Sequence, residues 1–467
     1  MGDLPEPGEQ IDGFLIGERI HSGGMGVIHR VSRADLMFPA LMKIPRLGPG
    51  EPASSIISFE VEQNVLAALD GAPVPRFVAA GDLTVRPYLV MEEIRGRSLA
   101  EWAARAPVAP EEVVRLGLAL ASALDDLHRH EAIHLDVKPS NVIVRADGRA
   151  VLVDLGLCHH AHFPDLLAEE YRRPIGSAPY LSPEQVVGVR SDPRSDLFSL
   201  GAVLYQLSTG RLPFGSPGPG GLRRRLWWVP VPPRAIAPAV SEWLQEVILH
   251  CLEPDAARRP ASAAQVAFDL AHPDQVHVGE RGRRLGRAGP VELLGRWLRS
   301  AGYLPAPAPL PSSQVAAAPI LLVAVATQHG DEPTLAALRE AVRRLLAAAG
   351  PHRLACTTVI RPVPELGGSR EDQTAARQRI RHLAVLRGWA APLGLSPAQV
   401  SFHVLEASNA AEALLAFARQ NRVDHIVIGA PARNIPLRGL FGTVATQVAM
   451  EAPCTVTLVR GERARRA

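Results

Sequence analysis

The chain has 467 residues, which is too long for one ordinary domain, so we expect two or three. With 47% hydrophobic and 21% charged residues the composition is globular, and the formal net charge of +3 lacks the basic excess of a dedicated nucleic-acid binder. The four cysteines contain no CxxC pair, the N-terminus is acidic rather than signal-like, and no apolar run approaches the ~18 residues of a membrane span, so we expect a cytoplasmic protein that does not contact a membrane.

The first half of the chain changes character near residue 96. Residues 14–95 alternate short apolar runs with Gly-containing turns and include one helical stretch, Ser54–Leu69. Residues 98–275 have mainly helical patterns, for example at Pro110–His130 and Val240–Leu252. This order predicts a small strand-rich lobe followed by a larger helical lobe.

The second half begins with an amphipathic segment, Val291–Arg299, and a Pro/Ala-rich stretch, residues 304–319, which we interpret as a semi-rigid spacer. Beyond it, strand-like runs alternate with helical runs, which predicts a doubly wound α/β domain with a parallel sheet. The strand-like runs are 319–326, 354–361, 400–405, 424–429 and 454–459, and the helical runs are 333–349, 371–393, 408–420 and 442–451.

Lysine is rare in this sequence. Only Lys43 and Lys138 are found among the 50 basic residues, and the other 48 are arginine. Arginine serves any surface role for positive charge, whereas lysine is needed where a compact ammonium must fit a tight site. Both lysines lie inside short motifs that also contain carboxylates, which makes these motifs the first candidates for a functional site.

A glycine-rich turn joins the first two apolar runs of the small lobe. Its residues are Ile20, His21, Ser22, Gly23, Gly24, Met25, Gly26, Val27 and Ile28. Glycines let the backbone approach phosphate groups without a Cβ atom in the way. An ordinary hairpin turn has the same pattern, so this motif indicates a phosphate site only in combination with the motifs that follow.

Further polar motifs follow in order along the chain. Lys43 lies in an apolar strand and needs a partner anion, which Glu62 on the next helix can supply. The segment IHLDVKPSN then places three polar groups on one loop, the carboxylate of Asp136, the ammonium of Lys138 and the amide of Asn141. Asp154 ends the next apolar strand, where its carboxylate is suited to bind Mg²⁺, and Gly176–Glu184 completes the series.

This ordered series resembles the eukaryotic-like Ser/Thr protein kinases of bacteria from residue 14 to about 275. The resemblance implies a bilobal kinase fold of the α+β class, ATP and Mg²⁺ (or Mn²⁺) as cofactors, and protein substrates with Ser or Thr hydroxyls. It also implies that the glycine-rich turn covers the nucleotide and that the hinge around Glu92 and Ile94 binds adenine through backbone groups.

The resemblance assigns a role to each polar residue of the motifs. Lys43, paired with Glu62, would hold the α- and β-phosphates, and Lys138 would neutralise the transferred phosphoryl group. Asn141 and Asp154 would bind the metal, and Asp136 would accept the proton of the substrate hydroxyl. Outside these motifs, the resemblance implies structural roles for Asp196 and Arg259, and Arg259 would pair with Glu184.

The sequence departs from the family pattern in three places. His21 replaces the first glycine of the turn, while Gly23 and Gly26 remain to permit phosphate approach. Leu135 replaces the arginine that usually precedes the catalytic aspartate, and Leu155 replaces a phenylalanine after Asp154. The first change puts nucleotide affinity in question, and the second bears on regulation.

The activation segment, Leu157–Gly176, contains no Ser or Thr. In many kinases a phosphorylated residue of this segment pairs with the arginine that is replaced here by Leu135. We therefore expect activity that does not depend on phosphorylation of this segment, with control by the C-terminal domain or none at all. Its histidines His159, His160 and His162 have no further ligand at a convincing spacing, so we expect them to be solvated on a mobile loop rather than bound to a metal.

Residues 319–460 resemble the universal stress protein family. The resemblance depends on strand–helix order and on one motif, in which Gly429 is followed after twelve residues by Gly442 and Thr443. Gly429 ends an apolar strand, and Gly442 and Thr443 open a helix whose N-terminus offers donors to a phosphate. The family's second motif glycine is Ala432 here, so a nucleotide site and a dimerisation module with an empty pocket both remain open.

These patterns divide the chain into an N-terminal tail, a kinase domain, a linker, a universal stress protein-like domain and a basic tail, at residues 1–13, 14–275, 276–318, 319–460 and 461–467. We expect an active Ser/Thr kinase whose C-terminal domain is a sensor or a homodimerisation module. A pseudokinase scaffold and a kinase that only regulates its C-terminal domain are the alternatives. The complete set of polar residues in the motifs favours activity over the scaffold.

Overall fold

The computed structural model describes most of the chain. The described residues are 5–23, 26–46, 53–69, 73–82, 86–163, 165, 167, 174–216, 219–300, 303, 305, 320–328, 332–348, 353–361, 369–395, 399–421, 423–430 and 444–460.

The small N-terminal lobe is a six-stranded antiparallel sheet, in the order β1-β2-β3-β4-β6-β5, with one helix. Alternating buried and exposed residues along β3 show why these segments form strands with one face on a core. Helix α1 lies between β4 and β5 in the sequence. The elements are β1 Gln10–Ile11, β2 Phe14–Gly23, β3 Gly26–Ser32, β4 Ala40–Ile44, α1 Ala53–Ala68, β5 Phe77–Ala80 and β6 Leu89–Glu92.

The second lobe is mainly helical and is built around α3, Pro110–Arg129. This helix begins with proline, carries acidic residues in its first turn and basic ones in its last, and buries one apolar face. Around it lie α2 Leu99–Ala103, α4 Pro183–Val186, α5 Arg194–Thr209, α6 Pro233–Ile236, α7 Glu242–Cys251, α8 Ala263–Ala271, α9 Glu280–Arg283 and α10 Pro290–Ser300.

One short strand before α2 and four short strands between α3 and α4 hold the loop that contains Asp136 and the start of the activation segment. They form one three-stranded antiparallel sheet, β10-β9-β7, and one two-stranded antiparallel sheet, β11-β8. Their bounds are β7 Arg97–Ser98, β8 Ala132–Ile133, β9 Val142–Val144, β10 Ala150–Leu152 and β11 His159–His160.

The C-terminal domain is a five-stranded sheet, in the order β14-β13-β12-β15-β16, in which every pair is parallel. Successive residues of β12 belong to two different cores, since Leu321 and Val323 pack on one face while Ile320 and Leu322 pack on the other. The elements are β12 Ile320–Ala324, α11 Glu332–Ala348, β13 Arg353–Ile360, α12 Ser369–Ala390, β14 Val400–Glu406, α13 Ala410–Gln420, β15 His425–Gly429, α14 Val444–Glu451 and β16 Thr455–Val459.

Both expected fold classes are confirmed, a bilobal kinase fold followed by a doubly wound parallel α/β domain. The element boundaries agree closely with the sequence pattern: the predicted helix Ser54–Leu69 is observed at Ala53–Ala68. The amphipathic segment Val291–Arg299 is helical, as α10. Within the described ranges, no helix is both long enough and apolar enough to cross a membrane.

Candidate active site

Lys43 and Glu62 form a buried ion pair between the sheet and the helix of the small lobe. The ammonium Nζ of Lys43 lies 2.5 Å from Oε2 of Glu62 and 3.5 Å from Oδ1 of Asp154. Burial lowers the pKa of Lys43, but the negative charges of the two carboxylates outweigh burial and leave that pKa raised. Lys43 is therefore a permanent positive charge at the point where the two lobes meet.

The carboxylate of Asp136 is held through both of its oxygens. Oδ1 accepts the backbone N–H of Ser177 at 2.8 Å, and Oδ2 accepts hydrogen bonds from Lys138 Nζ at 2.7 Å and from Asn141 Nδ2 at 3.2 Å. The Lys138 ammonium also donates to the Ser177 hydroxyl at 2.9 Å. The ammonium thus lies between the Asp136 carboxylate and a hydroxyl, and an acceptor hydroxyl in phosphoryl transfer needs both a base and a positive charge nearby.

The backbone of this loop is anchored by residues outside it. Asp196 accepts the N–H groups of His134 and Leu135, each at 2.8 Å, and its carboxylate is also bonded to His128 Nε2 at 2.9 Å. Gln185 donates to the carbonyl of Leu135 at 2.8 Å. These bonds hold Leu135 at a φ of 61°, a strained conformation for a leucine, directly before Asp136.

The anchoring role of Asp196 agrees with the structural role expected from the sequence, whereas His128 and Gln185 were not predicted. Gln185 follows Glu184 directly and has a signal in the sequence, because Ser182 and Gln185 have the spacing of a helix capping box. His128 is one apolar-face position of an amphipathic helix and has no such signal.

Asp154 follows β10 and also has a strained backbone, with a φ of 64°. Burial raises the pKa of its carboxyl, but the charges of Lys43, Lys138 and His134 outweigh burial and lower that pKa overall. The ionised carboxylate and the amide oxygen of Asn141 are the hard oxygen donors that Mg²⁺ prefers, so these residues fit a magnesium ion beside a phosphate chain.

The glycine-rich turn is a two-stranded hairpin of β2 and β3. His21 pairs with Ile28, Ser22 with Val27, and Gly23 with Gly26. Gly26 has a φ of 136°, and a Cβ atom there would lie 2.2 Å from the carbonyl oxygen of Ile44, so no other residue fits. Ile20 is exposed on β2, and Gly24 and Met25 lie outside the described residues.

The hinge segment connects β6 to the second lobe. The N–H of Glu92 donates to the carbonyl of Arg76 at 2.9 Å, and that of Glu93 donates to the carbonyl of Pro39 at 2.8 Å. The side chain of Glu92 accepts a hydrogen bond from Arg145 at 2.8 Å. Ile94, the other hinge residue expected to bind adenine through backbone groups, follows Glu93 directly.

The expected ion pair between Glu184 and Arg259 lies in the core of the second lobe. Two guanidinium nitrogens of Arg259 bind the two carboxylate oxygens at 2.6 and 2.8 Å, and both side chains are fully buried. The hydroxyl of Ser195 also donates to Glu184 at 2.7 Å. This pair joins the end of the activation region to the helical core.

The histidines of the activation segment differ from the expectation that they are solvated on a mobile loop. His159 and His160 form strand β11, paired with β8, and His160 is 4% exposed rather than solvated. Burial lowers the pKa values of His159 and His160, so both rings are neutral at pH 7. The segment is covered because the C-terminal domain packs on it, which the sequence pattern did not indicate. Within the described residues, no cluster of three or more His, Cys, Asp or Glu side chains suits a metal ion.

The motif expected in the C-terminal domain is only partly described. Gly429 ends β15, and a Cβ atom there would meet Cγ2 of Thr334 at 3.0 Å. Gly442 and Thr443 lie outside the described residues, as does Ala432. A polar cluster nearby was not predicted: the hydroxyl of Thr327, just after β12, is 2.9 Å from the Thr358 hydroxyl and 2.8 Å from His382 Nδ1.

Comparison with known proteins agrees with this site. The family model described as protein kinase domain matches residues 15–270, and the model of the universal stress protein family matches residues 320–460. A protein kinase domain implies the use of ATP. Serine/threonine-protein kinase pkn2 of Myxococcus xanthus is 33% identical over 270 residues, which are 56% of this chain and 32% of that protein.

Serine/threonine-protein kinase PknB of Mycobacterium tuberculosis is 29% identical over 283 residues, covering 59% of this chain and 45% of that protein. The chain thus spans less than half the length of these curated relatives. Among solved structures, the kinase domain of Mycobacterium tuberculosis PknI is 21% identical and covers 58% of this chain and 99% of that structure, with a TM-score of 0.45. Because the kinase model matches more than half of its residues, the chain belongs to the protein kinase family, and a universal stress protein domain follows its kinase domain.

Proposed function

We propose that the chain is an active Ser/Thr protein kinase that transfers the γ-phosphoryl group of ATP to hydroxyls of protein substrates. One observation carries the proposal: the Lys138 ammonium lies within hydrogen-bond distance of both the Asp136 carboxylate and the Ser177 hydroxyl. The backbone N–H of Ser177 also donates to Asp136, so a serine is held beside the groups that would act on a substrate hydroxyl.

The roles of the individual residues follow from the charges of the site. When bound, ATP supplies the phosphoryl group, and the metal neutralises the charge on its phosphates. Lys43, charged and oriented by Glu62, binds the α- and β-phosphates, and Asp154 and Asn141 hold the metal. Asp136 orients the substrate hydroxyl and takes its proton at Oδ2, while the Lys138 ammonium balances the negative charge of the transferred group.

The alternative of a pseudokinase scaffold requires that a catalytic group be missing or displaced. Here the lysine–glutamate pair is closed at 2.5 Å, and Asp136 is held through both of its oxygens. Holding a reactive group in this way is what phosphoryl transfer needs, since the catalysis consists mainly of positioning and charge neutralisation. The geometry therefore supports activity.

The test is mass spectrometry of the full chain after incubation with Mg²⁺-ATP and a model protein substrate. Asp136→Asn and Lys43→Met are each expected to lower phosphate transfer by about 10²-fold or more, because each removes a charge that acts on the reacting groups. Asp147→Asn is the matched control. This substitution makes the same chemical change at an exposed turn residue and should leave the rate unaltered.

Lys43→Arg is expected to fail as well, because a planar guanidinium is larger than the site that holds a point ammonium. Equal transfer by wild type and Lys43→Met would rule out the proposed role of Lys43. No transfer by wild type on any substrate, together with normal ATP binding, would establish the scaffold instead.

We further propose that the kinase domain spans residues 14–275 and the C-terminal domain residues 319–460. We propose that the C-terminal domain binds a nucleotide and serves as a sensor or a homodimerisation module. The strand order reverses between β12 and β15, which is where doubly wound sheets form a ligand crevice. Gly429 ends one of these strands, and the polar side chain of Thr327 follows the other. The edge strand β16 bears a half-exposed Leu458 and is the edge that we assign to a second copy.

A further inference from the structure

The middle of helix α1 is enclosed on all sides. Every residue from Ile56 to Glu62 is buried, and this run covers nearly two helical turns. A helix at the surface of a domain keeps an exposed polar face, so a continuous buried run means that a second layer covers the outer side. Glu60, at 1% exposure, is the most buried charged residue of this helix.

The C-terminal domain is that second layer. Neither carboxylate oxygen of Glu60 has a hydrogen-bond partner within the described residues, but Arg379 and Arg387 of α12 lie close enough to act on it through their charges. Burial raises the pKa of Glu60, and the two guanidinium groups oppose that rise. Arg387 also lies 3.9 Å from Asp82, which follows β5 of the small lobe. Two basic side chains of one domain thus meet two acidic side chains of the other.

A second contact joins the C-terminal domain to the activation segment. Asn421, at the end of α13, accepts the N–H of Asp165 at 3.0 Å, and the guanidinium of Arg353 lies 5.2 Å from the centre of the Phe163 ring. On the kinase side, Arg190 binds the Asp165 carboxylate at 2.7 Å. The beginning of the activation segment is therefore fixed between the two domains.

We infer that the C-terminal domain is a built-in activator of the kinase, which docks on the outer face of α1 and on the activation segment and holds both in the catalytic arrangement. This inference is based on the proposed kinase function. From the sequence alone, control by the C-terminal domain and constitutive activity were both possible. The docking contacts indicate the surface that the domain uses, and the sign of its effect is activation.

The geometry of α1 connects the docking surface to the active site. Glu60 and Glu62 are two residues apart and lie on roughly opposite faces of the helix, because each residue turns it by about 100°. The face bearing Glu60 meets the C-terminal domain, and the face bearing Glu62 meets Lys43. Because both residues belong to one helix, a contact that fixes the Glu60 face also positions Glu62 against Lys43. The contact does for this chain what a phosphorylated activation segment does elsewhere, and here that segment has no Ser or Thr and Leu135 cannot pair with phosphate.

Charge reversal at the interface of the full chain tests the inference. Arg387→Glu places a third carboxylate against Glu60 and Asp82, and we expect hydrogen exchange in residues 53–69 to accelerate and phosphate transfer to fall about tenfold or more. Arg381→Glu is the matched control, because Arg381 is an exposed arginine of the same helix. It should change neither readout.

A charge swap guards against a variant that simply misfolds. Glu60→Arg alone should resemble Arg387→Glu, and the double variant Glu60→Arg with Arg387→Glu should recover part of both the protection and the rate. Faster exchange with an unchanged rate would overturn the activating role, and an increased rate would mean that the domain inhibits. Unchanged exchange in both single variants would overturn the docking surface. If wild type transfers no phosphate, the kinase function fails, and with it the activating role, while the exchange data still decide whether α1 is docked.

Discussion

The ion pair of Arg259 and Glu184 shows how individual residues stabilise the lobe that carries the catalytic loop. Both side chains are fully buried, and the guanidinium binds both carboxylate oxygens. Burial lowers the pKa of Arg259, but Glu184 outweighs burial and raises it, so the pair stays charged. Such a pair adds little over an apolar pair of the same shape, whereas removing one partner leaves an isolated charge in the core.

We therefore predict that Arg259→Met destabilises the protein by about 3–5 kcal/mol, because the Glu184 carboxylate is left without its partner. Arg258→Met is the control on the neighbouring residue, since the Arg258 side chain is 66% exposed and its contact with Asp255 is 3.9 Å long. It should change stability by less than about 0.5 kcal/mol. Urea denaturation followed by fluorescence measures both. Similar midpoints for the two variants would contradict the importance of the buried pair.

At the residue scale, the Lys43–Glu62 ion pair and the cluster around Asp136 contain residues that the sequence had singled out. Lys43 stands out because a charged residue in an apolar run needs a partner. Gln185 and Glu60 were not predicted. Gln185 has the spacing of a capping box, which indicates its bond to Ser182 but not the bond it donates to Leu135. Glu60 has the composition of an exposed helix surface, and no nearby residue reveals that a distant segment buries it.

At the scale of single elements, the described residues at the beginning of the activation segment are held by packing. Strand β11 pairs with β8, Arg190 donates to the carbonyl of Leu157 at 2.8 Å, and the C-terminal domain contacts Asp165. All of these contacts are made by groups of the chain itself.

We predict that protein treated with phosphatase, and then freed of it, phosphorylates a model substrate without a lag. The reason is that the segment lacks a phosphorylatable Ser or Thr and that its beginning is already held by contacts within the chain. A time course over the first minutes, with and without preincubation with Mg²⁺-ATP, measures this. A lag that preincubation removes, with phosphate mapped between residues 157 and 177, would contradict the prediction.

Periodicity predicted three helices of the kinase domain and the alternating strands and helices of the C-terminal domain to within a few residues. The histidines of β11 and the outer face of α1 were not predictable in this way. Their burial depends on residues of the C-terminal domain, since Ser401 and His403 line one cavity together with Val61 of α1 and both histidines of β11. Local pattern carries no information about which domain surface lies opposite.

At the scale of the whole molecule, we propose a nucleotide site in each of the two domains. Calorimetric titration of the full chain with Mg²⁺ and a non-hydrolysable ATP analogue should therefore give two sites. Gly429→Val should reduce the number to one, because the added side chain meets Thr334 at the end of β15. Gly388→Val is the control, since a Cβ atom at Gly388 would meet open space. One site in wild type would leave the C-terminal domain as a module without nucleotide.

The two lysines have a practical consequence for labelling chemistry. Because the other 48 basic residues are arginine, an acylating reagent that attacks amines finds only two side chains in this chain, and both lie in the active site. The Lys138 side chain is 25% exposed, while that of Lys43 is 11% exposed and paired with Glu62. The rate of acylation at each lysine therefore reports the opening of the cleft, at the more exposed Lys138 and at the deeper Lys43, without any engineered probe.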